Sequence, residues 1–357
     1  MPAAPQPMPK AGTTALYCAV QFGKTLLWVA ADLVAFYVLG VVEHVPTGNV
    51  AMILTGSLAW HALSDALVGH WLERRSGSRR NLALITGTAV PFASVAFVLA
   101  LLMAARWPWA ALAMMMACRT AYSLYDVPHL ALIGRMARLG YPVVKIVGIR
   151  NLWGQLASLS LGLSLLSTLG PVMTAGGLAF VLVGIATASA ILSAPIALLV
   201  YRLWDQPSPA GKTASASLHR AGLAILAVLA VHLAATATVA TVGKLALGTI
   251  APGLALAMLS TGRMLASMPL PARWRERHLD GQLVGSALIL AAATVGLWTW
   301  PNAGSVLAFG LASGWINILT WAWLGQATDH PRTFGMATML TKIGLMASIP
   351  AAAMLLR

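Results

Sequence analysis

The chain has 357 residues, of which 59% are hydrophobic and only 9% charged, with two cysteines and a mean hydropathy of +0.80. Soluble domains carry roughly 25% charged residues, so this composition predicts an integral membrane protein and excludes a soluble globular enzyme, a disordered chain and a disulfide scaffold. The formal net charge of +14 has to be weighed against membrane topology before an acidic partner is invoked.

A helix that crosses the hydrocarbon core needs ~20 mostly apolar residues. After a proline-rich tail over residues 1–13, which lacks a small-residue cleavage site, stretches of that length occur near 14–42, 49–72, 81–104, 107–131, 144–169, 173–203, 219–242, 246–269, 279–299, 303–327 and 334–356. Turn formers with interfacial tryptophans separate them, as in Trp107-Pro108-Trp109 and Trp300-Pro301-Asn302. The runs lack the period-2 alternation of a barrel strand, so a β-barrel is excluded and eleven transmembrane helices are expected.

Orientation follows from the basic residues. With the N-terminus inside, fifteen Lys and Arg fall on the tail and inner connections, and three (Arg106, Lys244 and Arg357) fall outside. Cytoplasmic loops carry such an excess, so the charge is read as a topology signal facing anionic lipid, and nucleic acid is not needed to explain it. The longest polar gap, 205–218, divides the chain into six spans (14–204) and five (219–357), and two halves joined by a cytoplasmic loop are common among secondary transporters.

Ionisable groups inside spans are costly, by ~2.5–3.5 kcal/mol at a helix centre, and face cavities or partners. The acids are Asp32, Asp65 and Asp126; the bases are Lys24, Arg119, Arg150, Arg263 and Lys342; His61, His129 and His232 add imidazoles. Lys24 and Arg263 are expected to snorkel to the interface, a route closed to the short side chains of Asp65 and Asp126. Depth counting puts those two aspartates at levels ~5 Å apart, so they are expected to share a site with a cation or proton between them. Pairing of Asp126 with Arg119 or Arg150 is the structural alternative. Gln21, Thr25 and Asp32 form a polar stripe at helical spacing, and Trp153, three residues after Arg150, either walls the same cavity or faces lipid. Three interior acids against five bases favour an anionic or acid-bearing solute. No phosphate-binding glycine loop and no metal-ligand spacing occurs in the sequence, so neither a cofactor nor a metal is expected.

The loop from Gly69-His70-Trp71 through Arg74-Arg75-Ser76-Gly77 to Arg79-Arg80 resembles the signature between the second and third helices of the major facilitator superfamily. Trp60-His61 through Ser64-Asp65 and Tyr122-Ser123-Leu124-Tyr125-Asp126-Val127-Pro128-His129 are similar to the melibiose permease-like glycoside-pentoside-hexuronide:cation symporters. The resemblance covers most of 14–204 and is faint beyond it, where it rests on Phe334 and Lys342. It implies an all-α, major facilitator-type two-bundle fold, here six helices plus five with the twelfth absent. It also implies a bacterial inner-membrane transporter that moves a small solute by alternating access. Asp65 matches a cation-site carboxylate and Ser123 a cation-site hydroxyl; Asp126, Lys24 and Arg150 match the sugar site, and Lys342 a lysine linking the two. His61 replaces a second carboxylate, Thr25 a sugar-binding aspartate and Leu130 a stacking tryptophan. Sodium prefers several oxygen ligands, so these changes favour the proton as coupling ion and leave the solute sugar-like or anionic. The expected solute site is Lys24, Thr25, Asp32, Arg119, Asp126, Arg150, Trp153 and Lys342, and the coupling site is His61, Asp65, Ser123 and Asp126. The competing reading is a transporter-like fold turned to membrane-embedded catalysis or scaffolding.

Overall fold

The computed structural model describes residues 11–35, 38–74, 78–168, 175–204, 252–268, 279–300 and 302–355, all of them helix, turn or short connection. Residues 1–10 of the expected tail, the 205–218 loop, the 219–242 span and His232 lie outside these residues, and residues 11–13 of that tail belong to the first helix. Without water to satisfy backbone amides, a spanning segment bonds within itself, and the apolar runs therefore become helices.

The first helix, α1 (Ala11–Val29), continues into π-helical turns at Ala30–Val34 and Val38–Val42. Then come α2 (Thr47–Arg74), α3 (Arg79–Met103), α4 (Pro108–Arg138), α5 (Val143–Thr168) and α6 (Ala175–Ser193), which breaks at Pro195 and resumes as α7 (Ile196–Leu203). The remainder is α8 (Pro252–Leu265), α9 (Leu279–Thr299), α10 (Ala303–Ala327) and α11 (Pro331–Leu355). Helix starts carry their expected chemistry: Pro108 opens α4, and Asn302 and Ser305 form a capping box at α10 with bonds of 2.9 and 3.0 Å. Gly140, at φ 81°, turns α4 into α5. Helix α4 runs beyond the expected end at 131 to Arg138, and in this extension Arg135 packs 4.1 Å over the Trp204 ring.

Among the described residues, five stretches are long and apolar enough to span a membrane on that test alone: α2, α3, Phe180–Leu203, α9 and α10. The chain is a multi-pass membrane protein. One end of the bundle carries Arg74, Arg79, Arg80, Arg135, Arg138, Lys145, Arg202 and Arg332, the other Arg106; we call the first the basic end. In one bundle α1 packs on α5 and α6, and α4 on α2 and α3; in the other α10 packs on α8 and α9.

Between lipid-like surfaces the hydrophobic effect contributes little, and close backbone approach at small residues holds helices together. At the basic end the two bundles meet in this way. A Cβ on Gly69 of α2 would stand 2.8 Å from the Pro331 carbonyl oxygen and 3.2 Å from Gly335 Cα of α11, and one on Gly335 would overlap the Asp65 carbonyl. A Cβ on Gly134 of α4 would overlap the Thr328 carbonyl before α11. Arg138 pairs with Asp329, and His330 lies 3.5 Å from Glu73, across the same seam.

Candidate functional site

Among the described residues, three lysine or arginine pairs with aspartate occupy the interior. Lys24 of α1 donates to Asp126 of α4, both buried. Lys24 therefore does not snorkel: it lies well inside α1, more than three turns from its start, and faces the bundle, where the carboxylate satisfies it. Asp126 is also not paired with Arg119 or Arg150, the expected alternatives. Arg119 donates instead to Asp32 and, at 3.3 Å, to the Ala31 carbonyl, in the first π-helical turn of the chain. That wider turn changes the face on which Asp32 falls, so the stripe expected from Gln21 to Asp32 breaks after Thr25. Gln21 donates to Thr25 at 2.9 Å within the surviving part.

The third pair crosses the bundles. Lys342 of α11 donates to Asp65 of α2 and reaches His61 Nε2 at 2.6 Å. Ser123 donates to the second Asp65 oxygen at 2.6 Å, which puts Asp65 one turn from Asp126, in line with the depth count. The two carboxylates do not share one cation, however: each holds its own lysine. With Lys342 as an ammonium, His61 Nε2 is the acceptor, and the imidazole fills one face of its site against Tyr122, ring centroids 5.4 Å apart.

Arg150 has another kind of environment. Its Nε donates to Gln21 Oε1 at 3.0 Å, and its guanidinium lies 5.3 Å from the Trp321 ring centroid of α10. Both groups are neutral. Trp153 is not beside it but on the outer face, 40% exposed, edge-on to Phe22 in a groove of about 870 Å³ between α1, α5 and α6. Gly154 takes the inner position, where a Cβ would stand 3.2 Å from the Gln21 amide.

The sequence reading missed the polar seam of α5, α8 and α10. Asn151 donates to the Arg263 carbonyl at 3.0 Å and to Ser267 at 2.7 Å, and accepts from Asn317 at 3.2 Å; Trp321 donates to Asn317 at 3.0 Å. Lone amides inside apolar spans were the available signal. Arg263 donates to Ser313 at 3.0 Å across the same seam, so it too is held between helices rather than drawn to the interface. Leu130 is buried in the core, and Thr25 faces Gly154. Among the described residues no group of three or more His, Cys, Asp or Glu side chains is placed to hold a metal ion.

No protein-family model and no characterised sequence matches the chain. Solved structures do. The major facilitator superfamily transporter FucP in the outward conformation superposes with a TM-score of 0.63 at 14% identity, over 96% of this chain and 91% of that one. A bacterial homologue of the iron transporter ferroportin, outward-facing with soaked iron, gives 0.66 at 16% identity over 97% and 92%. The proton:xylose symporter XylE bound to 6-bromo-6-deoxy-D-glucose gives 0.62 at 13% identity over 95% and 87%. The chain therefore has the all-α, two-bundle major facilitator fold.

Proposed function

We propose that the chain is a secondary transporter that moves a small acidic or sugar-like solute by alternating access between its two bundles, with the proton as coupling ion. The observation that carries this reading is Arg150. It is a half-buried cation beside the seam of both bundles, held by an amide and a ring face while the three acids of the cluster are taken by other bases. Its planar fork offers paired donors to a carboxylate or to adjacent hydroxyls.

The melibiose permease-like motifs around Asp65 and Asp126 support a symporter, as do the fucose:proton and xylose:proton symporters among the neighbours. The proton is favoured over sodium because Lys342 and Ser123 already occupy the Asp65 oxygens, and His61 offers nitrogen to the same ammonium. The basic end is assigned to the cytoplasm of a bacterial inner membrane, where it faces anionic lipid, with the N-terminus inside. The bundles, 14–204 and 219–357, then meet on the cytoplasmic side in this state.

Uptake into proteoliposomes tests the reading. A panel of sugars and sugar acids, driven by a pH gradient, should identify an accumulated solute. Asp65→Asn should abolish accumulation and spare exchange down a gradient. Sodium-dependent accumulation at constant pH, untouched by Asp65→Asn, would overturn the coupling assignment.

A further inference from the structure

Two buried lysines share one arrangement. Lys342 faces Asp65 and, four residues earlier on α2, His61; Lys24 faces Asp126, and His129 follows three residues later on α4. In the first set the ammonium engages both acceptors. In the second it engages only the carboxylate.

His129 is fully buried, its ring stacked on Tyr17 with centroids 4.1 Å apart and planes 15° from parallel. Its Nε2 lies 3.2 Å from the Tyr17 carbonyl oxygen. A carbonyl only accepts, so Nε2 carries the hydrogen and Nδ1 presents a lone pair, which meets no donor. A buried acceptor left without a donor is costly and calls for a reason.

Geometry supplies one. Helical side chains lean toward the N-terminus of their own helix, so Lys24 leans along α1 toward Tyr17 and the level of His129. Asp126 and His129 are neighbours one turn apart on α4. Tyr17 of α1 stacks on His129, the charges of Lys24 from α1 and Arg150 from α5 act on it, Asp126 stands one turn away on α4, and Arg150 is held by Gln21. Lys24, a compact ammonium on a flexible stem, is thus the donor that can turn toward the empty lone pair.

We propose that His129 is the second seat of Lys24: when a solute or a proton takes Asp126, the ammonium moves one turn toward the basic end and donates to His129 Nδ1. This rests on the transporter reading. It lets the Lys24–Asp126 pair open in each cycle without stranding a buried ammonium, which makes His129 a positioning residue.

Thermal melting of the purified full chain tests it without any solute. Asp126→Leu removes the first seat. His129→Phe keeps a flat ring against Tyr17 and removes the second. If Lys24 uses both, each single change is tolerated, and the double variant melts at least ~3 °C below the sum of the single shifts. Adding Lys24→Met, which removes the ammonium, should then restore most of that loss. Additive single shifts, or a loss that persists with Lys24→Met, would overturn the proposal. If the double variant does not accumulate, the triple variant decides: its recovery supports the second seat and its absence refutes it. A chain that moves no solute would remove the transporter reading and leave this cycle intact, whereas an additive cycle in an active transporter removes only the second seat.

Discussion

Lys342 donates to Asp65 from 277 positions away in the chain, and the bond joins α11 to α2 across the seam between the bundles. Breaking such a pair strands a charge, at ~3–5 kcal/mol, while replacing both partners costs far less. Lys342→Met should therefore lower the melting temperature sharply, and adding Asp65→Asn should recover most of the loss. Equal melting of the single and double variants would mean that the carboxylate is satisfied in another way.

Arg150→Lys keeps the charge and loses the fork. We expect a well-folded protein that binds or moves solute at least ~10-fold less well, equivalent to ~1.4 kcal/mol. Uptake kinetics alongside expression check this; wild-type rates in the Lys variant would remove Arg150 from the solute site.

Gly69 and Gly335 approach too closely for a Cβ on Gly69 to fit without movement. Gly69→Val should hold the basic ends of the two bundles apart. A Glu73→Cys/His330→Cys pair, whose native side chains lie 3.5 Å apart, reports on this: oxidative crosslinking should be rapid in the parent and reduced several-fold beside Gly69→Val. Unchanged crosslinking would place the flexibility of the seam elsewhere.

Topology is checked with an impermeant thiol reagent, because Cys18 and Cys118 are both buried. In intact cells a cysteine at Arg106 should label and one at Lys145 should not. The reverse pattern would invert the assignment of the basic end.

Ten of the expected spans were legible because a long apolar run has only one way to satisfy its amides in lipid. The charged groups of the interior cluster were legible as residue types: Asp65, Asp126, Lys342 and Arg150 stand out as charges in apolar context. Their partners were not. Lys24 looked like an interfacial residue because its depth depends on where α1 starts, and its pairing with Asp126 depends on how α1 packs on α4. Asp32 was placed by α-helical spacing, which the π-helical turn at Ala30–Val34 does not obey. Trp321 and Asn317 lie in a strongly apolar span, where nothing in the local pattern separates a site residue from a packing residue.

The pairing of the three acids has a consequence for how membrane voltage acts on the carrier. Asp32, Asp65 and Asp126 with Arg119, Lys342 and Lys24 add no net charge, so this cluster holds one net positive charge, that of Arg150. Under the proposed coupling, a monoanion bound together with its proton leaves the loaded cluster at one positive charge, the same as the empty one, whereas a neutral sugar with its proton raises it to two. Moving one elementary charge through 100 mV is worth ~2.3 kcal/mol. With an acidic solute carried alongside one proton the potential therefore acts on the loaded and empty steps alike, and with a neutral sugar it acts more strongly on the loaded step.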